Sequence, residues 1–157
     1  MVPRFNPQLA RVSAVAVGRG RLAIVTLDYC GSEVQVDDAA SIAATLDTDS
    51  GAVSKMRSAL NEFLDRNHIR DLVLRKGPHR GPYSVRAIQM KLEFLVEHGL
   101  RVAATPVFSS TLGNWLNKHQ IEAPPGLPDF GKEYRECQFQ AVQTGFYALD
   151  VYEGFST

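Results

Sequence analysis

The chain has 157 residues, enough for one domain with a hydrophobic core of its own, and its 45% apolar and 22% charged content is ordinary for a soluble globular protein. Lys plus Arg equal Asp plus Glu, so the formal net charge is zero. That balance argues against a broad basic nucleic-acid-binding face and confines any anion contact to a local cluster. Cys30 and Cys137 lie far apart in the sequence, with Cys137 on an apolar helix face, as in a reduced cytosolic chain. The opening MVPRFNPQLAR lacks the apolar core of a signal peptide, and no apolar run is long enough to span a membrane. A cytoplasmic location is the resulting expectation. Residues 1–10 are expected to be a flexible segment, 11–150 a single domain and 151–157 a tail.

In chain order, RVSAVAV (11–17) and RLAIVTLD (21–28) are strand-like runs joined by Gly-Arg-Gly, a hairpin signal. YCGSEVQVDD reads as a polar excursion and SIAATLD (41–47) as a third strand. Asp49 and Ser50 are cap candidates for a helix carrying Val53, Met56, Leu60, Phe63 and Leu64 and ending near Asn67. DLVLR (71–75) does not alternate and reads as a short strand buried on both faces. After a basic Gly-Pro loop, Gly81 or Ser84 can cap a second helix with the stripe Val85, Ile88, Leu92, Leu95 and Val96, closed by His98-Gly99.

LRVAATP (100–106) is the next strand, stopped by Pro106, and Ser109 and Ser110 can cap a short helix with Leu112, Trp115 and Leu116. IEAPPGLPDFGK is an Ω-type loop leading to a last helix from about Glu133 to Leu149, with Tyr134, Cys137, Ala141, Gly145 and Ala148 on one side. The order predicts an α/β domain: a mixed five-stranded sheet, three antiparallel strands followed by βαβ crossovers, with helices on both faces.

This order is similar to the ribonuclease-H-like fold. The residues resemble a small bacterial family catalogued as domain of unknown function 3010, through RVSAVAV, LVLRKGPHRGPYSVRAIQMKLE and FQAVQTGFYAL, over roughly residues 11 to 150. What that resemblance implies is the fold, since the family has no settled activity. Nucleases of the wider ribonuclease-H-like group hold two divalent ions about 3.5–4 Å apart on clustered carboxylates. One carboxylate sits in the first strand, one at the end of the fourth and one on the last helix. The matching places here hold Ala16, Lys76 (after Arg75) and Gln140, with Glu136 one turn earlier. A catalytically inactive domain is therefore expected, with no catalytic residues, no metal and no cofactor. Glu133 and Glu136 fit a solvated first helical turn, and Asp28 fits a turn.

Arg75, Lys76, His79 and Arg80, with Arg86 in the following helix, form the sharpest local feature. Cations are unfavourable near a helix N-terminus, which invites an anion explanation; the bland alternative is a solvated surface loop. Arg80 and Arg86 would serve as bidentate phosphate donors and Lys76 as a point charge. The expected function is binding of nucleic acid or another phosphate-bearing ligand. Two alternatives stay open: a metal-dependent nuclease with carboxylates relocated to Asp28, Glu136 and Asp71, and a structural subunit. For the latter, a protein partner or homodimer would use the aromatic C-terminal third, with Phe139 and Phe146 on the outer side of the last helix. The four histidines lack metal-ligand spacing, and nothing adjoins Cys30 to activate it.

Overall fold

The two small, β-branched runs pair as the middle of the sheet. In the computed structural model, which describes residues 10–29, 33–43, 50–77 and 87–152, β1 (Arg11–Gly18) and β2 (Arg21–Tyr29) are antiparallel. Their turn is closed by Gly20 at φ 69°, a conformation glycine adopts without strain. Six consecutive residues of each strand are buried, because helices cover both faces. β3 (Val34–Ala43) pairs antiparallel with β2. β4 (Leu72–Lys76) is parallel to β1, and β5 (Ala104–Phe108) is parallel to β4. The sheet order is β3-β2-β1-β4-β5.

Helices α1 (Ser50–Arg66) and α2 (Ala87–His98) cover one face. There Leu60, Phe63, Leu92 and Val96 pack on Val15, Ile24 and Leu74. Helices α3 (Ser109–Leu116) and α4 (Arg135–Val151) cover the other, where Leu112, Ala141 and Ala148 meet Ala14, Val25 and Val73. Alternation along each central strand divides these two layers. No helix among the described residues is long and apolar enough to cross a membrane.

Several boundaries differ from the sequence expectation. The third strand occupies 34–43 and not 41–47: the stretch read as a polar excursion is an edge strand with one open face, so Gln35 and Asp37 alternate with Val34 and Val36. Residues 44–49, with Asp49, lie outside the described residues, and Ser50 is the first residue of α1. β5 runs through Pro106, which an edge strand tolerates because its second side needs no N–H. Ser109 and Ser110 are the first residues of α3 and not its cap; Phe108 holds that place, with no side-chain bond. A 3₁₀ turn (Lys132–Tyr134) precedes α4. The capping positions Gly81 and Ser84 and the cysteine Cys30 lie outside the described residues.

Phe146 is 3% exposed, against the expectation of an outer surface. The 121–131 loop covers that side of α4: Gln138 Nε2 donates to Pro128 O (2.9 Å), and Val36 N–H donates to Pro125 O (3.3 Å). Among the described aromatic residues of the C-terminal third, Phe108, Phe130 and Phe139 remain exposed.

Charged residues tie α1 to the β3 side. Arg11 Nη1 donates to both carboxylate oxygens of Asp28 at 2.8 Å and Nη2 to Asp37 at 2.8 Å. Asp28 is thus a paired residue of β2 and not a turn residue. Asp38 accepts from Asn67 Nδ2 (2.8 Å), Arg66 Nη2 (2.8 Å) and its neighbour Ala39 N–H (2.9 Å). Burial pushes the Asp38 carboxyl up, but the bonds from Asn67, Arg66 and Ala39 and the Arg66 charge outweigh it and hold it below its ordinary value.

A depressed folded-state value gives stability that is present above the unfolded value, near 4, and lost as pH falls through the folded one. Asp38→Asn is expected to cost about 1 kcal/mol at pH 7, discounted for partial exposure. The difference from wild type should shrink as pH drops below about 4. Urea midpoints of both proteins across that range measure it, and a difference independent of pH would refute it.

Candidate functional site

β1 and β4 run in parallel with Ala16 beside Arg75. The carboxyl ends of β1 and β4 therefore emerge together, the usual place for a ligand site in an open α/β sheet. There the β1–β2 turn, the start of α4 and one side of α2 enclose an open cavity of about 340 Å³. Arg19, Arg21 and Arg75 line it, opposite Glu133, Glu136 and Gln140, with Cys137 and Gln89 completing the walls. Gln89 is held by its Nε2 bond to Val17 O (3.2 Å).

Strand alternation sends neighbouring cations to opposite faces. Val73 and Arg75 face the α4 layer, and Leu74 faces the α1–α2 layer. Lys76 follows Leu74: its Nζ lies 2.8 Å from Glu97 Oε2 on α2 and 6.0 Å from the Phe108 ring centroid. The Lys76 charge is thus committed to a half-buried ion pair away from the cavity, whereas Arg75 points into it. His79, Arg80 and Arg86 lie outside the described residues.

Arg75 is half-buried. Burial pushes its guanidinium pKa down, opposed by the charges of Glu93 and Glu136. Three arginines among the described residues are half-buried: Arg11, Arg21 and Arg75. Arg11 is spent on aspartates, and Arg21 donates to Glu133 O (2.6 Å) and Arg19 O (3.1 Å). The Arg75 side chain makes no hydrogen bond or ion pair within the described residues. Arg75 lines the cavity, and a guanidinium offers its donors in a planar fork suited to a phosphate or carboxylate.

Glu93, which the sequence reading passed over, is 1% exposed, and its Oε1 accepts the Gly77 N–H (3.2 Å). It secures the chain at the end of β4 and compensates Arg75 from behind. The signal was a carboxylate beside Leu92 in an apolar helix stripe. Arg19 and Arg21 were legible only as turn residues, because the pairing that brings their turn to Arg75 joins distant segments. Burial raises the Cys137 thiol pKa, partly offset by Arg21, so it is a poor thiolate.

The relocated carboxylate set is not assembled. Asp28 pairs with Arg11 at the start of β1, and the Asp71 carbonyl accepts the Ser13 N–H (3.0 Å) at that same end. Glu136 lines the cavity at the opposite end, about 23 Å away along an eight-residue strand. Among the described residues no three His, Cys, Asp or Glu side chains gather to hold a metal ion. The residues at the cavity do not fit a two-metal centre. Ala16 is apolar and fully buried, Gln140 is neutral, and the β4 residue on the cavity side is the cation Arg75, which opposes a divalent ion.

The five-stranded order, with three antiparallel and two parallel strands and helices on both faces, is the ribonuclease-H-like fold. The structure is similar to that of Thermus thermophilus RuvC in complex with Holliday junction substrate, with a TM-score of 0.66 at 10% identity, covering 92% of this chain and 96% of that one. A second T. thermophilus RuvC structure gives 0.59 at 11% identity, covering 88% and 95%. At such identities the likeness establishes the fold alone. No protein-family model and no curated protein matches the sequence.

Proposed function

We propose that this ribonuclease-H-like protein is a cytoplasmic binder of nucleic acid or another phosphate-bearing ligand that does not cut what it holds, and that it is kin to the bacterial family catalogued as domain of unknown function 3010. The observation that carries the reading is Arg75, a half-buried guanidinium that lines a cavity at the carboxyl ends of β1 and β4 and whose donors are unspent within the described residues. Arg19 and Arg21 add positive charge around it. His79, Arg80 and Arg86 follow closely in sequence and are assigned to the same anion contact, with Lys76 as the strand-end residue whose pair with Glu97 supports the loop's start. A structure of the same fold solved with a Holliday junction makes nucleic acid the first ligand to test.

Labelled single-stranded and duplex DNA and RNA are expected to bind at low salt, more weakly as salt rises, in fluorescence anisotropy. Arg19→Ala/Arg80→Ala should weaken single-strand binding about tenfold and flatten the salt slope by about 1.4, twice the 0.7 per phosphate typical of single strands. The probe should stay intact with Mg²⁺. Probe cleavage would overturn the non-cutting part, and absence of salt-sensitive binding to every probe would overturn the whole.

A further inference from the structure

We infer that the cavity takes a phosphomonoester on a hydroxylated sugar body, the terminal nucleotide of a nucleic acid strand, and not a phosphodiester within a continuous backbone. This rests on the reading of the cavity as a phosphate site. The first argument is charge. Three guanidinium groups, of Arg19, Arg21 and Arg75, share the cavity with two exposed carboxylates, Glu133 and Glu136. A strand laid across it would carry a further phosphate on each side of the one held by Arg75. Its flanking phosphates would then meet these carboxylates while its central one met Arg75. A chain end removes one flank and brings the larger charge of a monoester, about −1.5 to −2.

The second argument is the lining. Gln140 is half-buried, its side chain makes no hydrogen bond among the described residues, and it faces the same space as Arg75. Gln89, whose amide N–H reaches Val17 O, presents a carbonyl acceptor. Amides and carboxylates suit sugar hydroxyls. No aromatic ring among the described residues lines the cavity, so none of them supplies the stacking platform that single-strand binders use for bases. The volume of about 340 Å³ lies at the small end for ligand pockets and exceeds what a bare phosphate needs.

The test compares short single strands of one sequence carrying a 5′-phosphate, a 3′-phosphate or no terminal phosphate, by anisotropy with the full chain. A strand with one of the terminal phosphates is expected to bind roughly tenfold or more tightly than the strand with none, as charge-assisted bidentate bonds allow. Arg19→Ala and Gln140→Leu, neither in the buried core, should each reduce that preference, while inorganic phosphate should compete only weakly. Adenosine 5′-monophosphate and ribose 5-phosphate separate the sources. Competition by either at the affinity of the phosphorylated strand would support the monoester site and make the free compound its ligand. Equal binding of all three strands would overturn the inference and leave the phosphate-binding reading standing. No binding by any probe would overturn both.

Discussion

Gly145→Val is expected to destabilise the protein by about 3 kcal/mol, through overpacking between α4 and the sheet. A Cβ at Gly145 would sit 2.6 Å from Leu27 Cδ1 and 3.5 Å from Ala14 Cβ. Leu27 and Ala14 are fully buried on β2 and β1, so Leu27 has no open space to swing into. Removing glycine from a helix interior gains less than about 1 kcal/mol, too little to offset the clash. Leu27→Ala alone should cost about 2–5 kcal/mol through the cavity it opens. The double variant should lose clearly less than the sum, because valine fills what leucine vacated, giving a coupling above about 1 kcal/mol. Urea unfolding of the four proteins measures this. A Gly145→Val protein as stable as wild type would mean that this contact does not set the spacing between helix and sheet. The consequence extends to the site, since the same helix carries Glu136 and Gln140 to the cavity.

The elements most legible in the sequence were those with the strongest burial. Consecutive apolar residues in 11–17 and 21–28 announce central strands, and the α1 stripe at Met56, Leu60, Phe63 and Leu64 is buried as its spacing requires. The errors fall at edges, where one face is solvated and composition is mixed: β3 was placed several residues late, and β5 was ended at a proline that an edge strand accepts. The site was legible as a run of cations but not as geometry. Arg75 and Lys76 are adjacent in sequence, and the pleat sends one into the cavity and the other to Glu97. Arg19, Gln89 and Gln140 join Arg75 only through parallel pairing and helix placement, which no local pattern encodes. Glu93 shows the same limit from the other side. A charge next to an apolar stripe usually marks a solvated face, and only the location of α2 over the end of β4 makes it buried.

Arg75→Met and Arg75→Lys should separate the structural work of this arginine from its ligand contact. Glu93 is buried and feels the Arg75 charge through space. Taking that charge away weakens the compensation of the carboxylate, and Arg75→Met is expected to cost about 1–2 kcal/mol, below the 3–5 of a directly bonded buried pair. Glu93→Met should cost less than Arg75→Met, because Arg75 still reaches the water of the cavity while Glu93 does not. The double variant should recover most of the loss, as apolar replacement of buried charges often does. Arg75→Lys keeps the positive charge in front of Glu93 and should stay within about 1 kcal/mol of wild type, yet it replaces a planar fork by a point charge. Binding of a phosphate-bearing probe should therefore fall roughly tenfold in Arg75→Lys at nearly unchanged stability. Unfolding midpoints and anisotropy on the same samples decide the matter. A lysine variant that binds as tightly as wild type would place the anion contact elsewhere, and a methionine variant of undiminished stability would mean that Glu93 does not depend on Arg75.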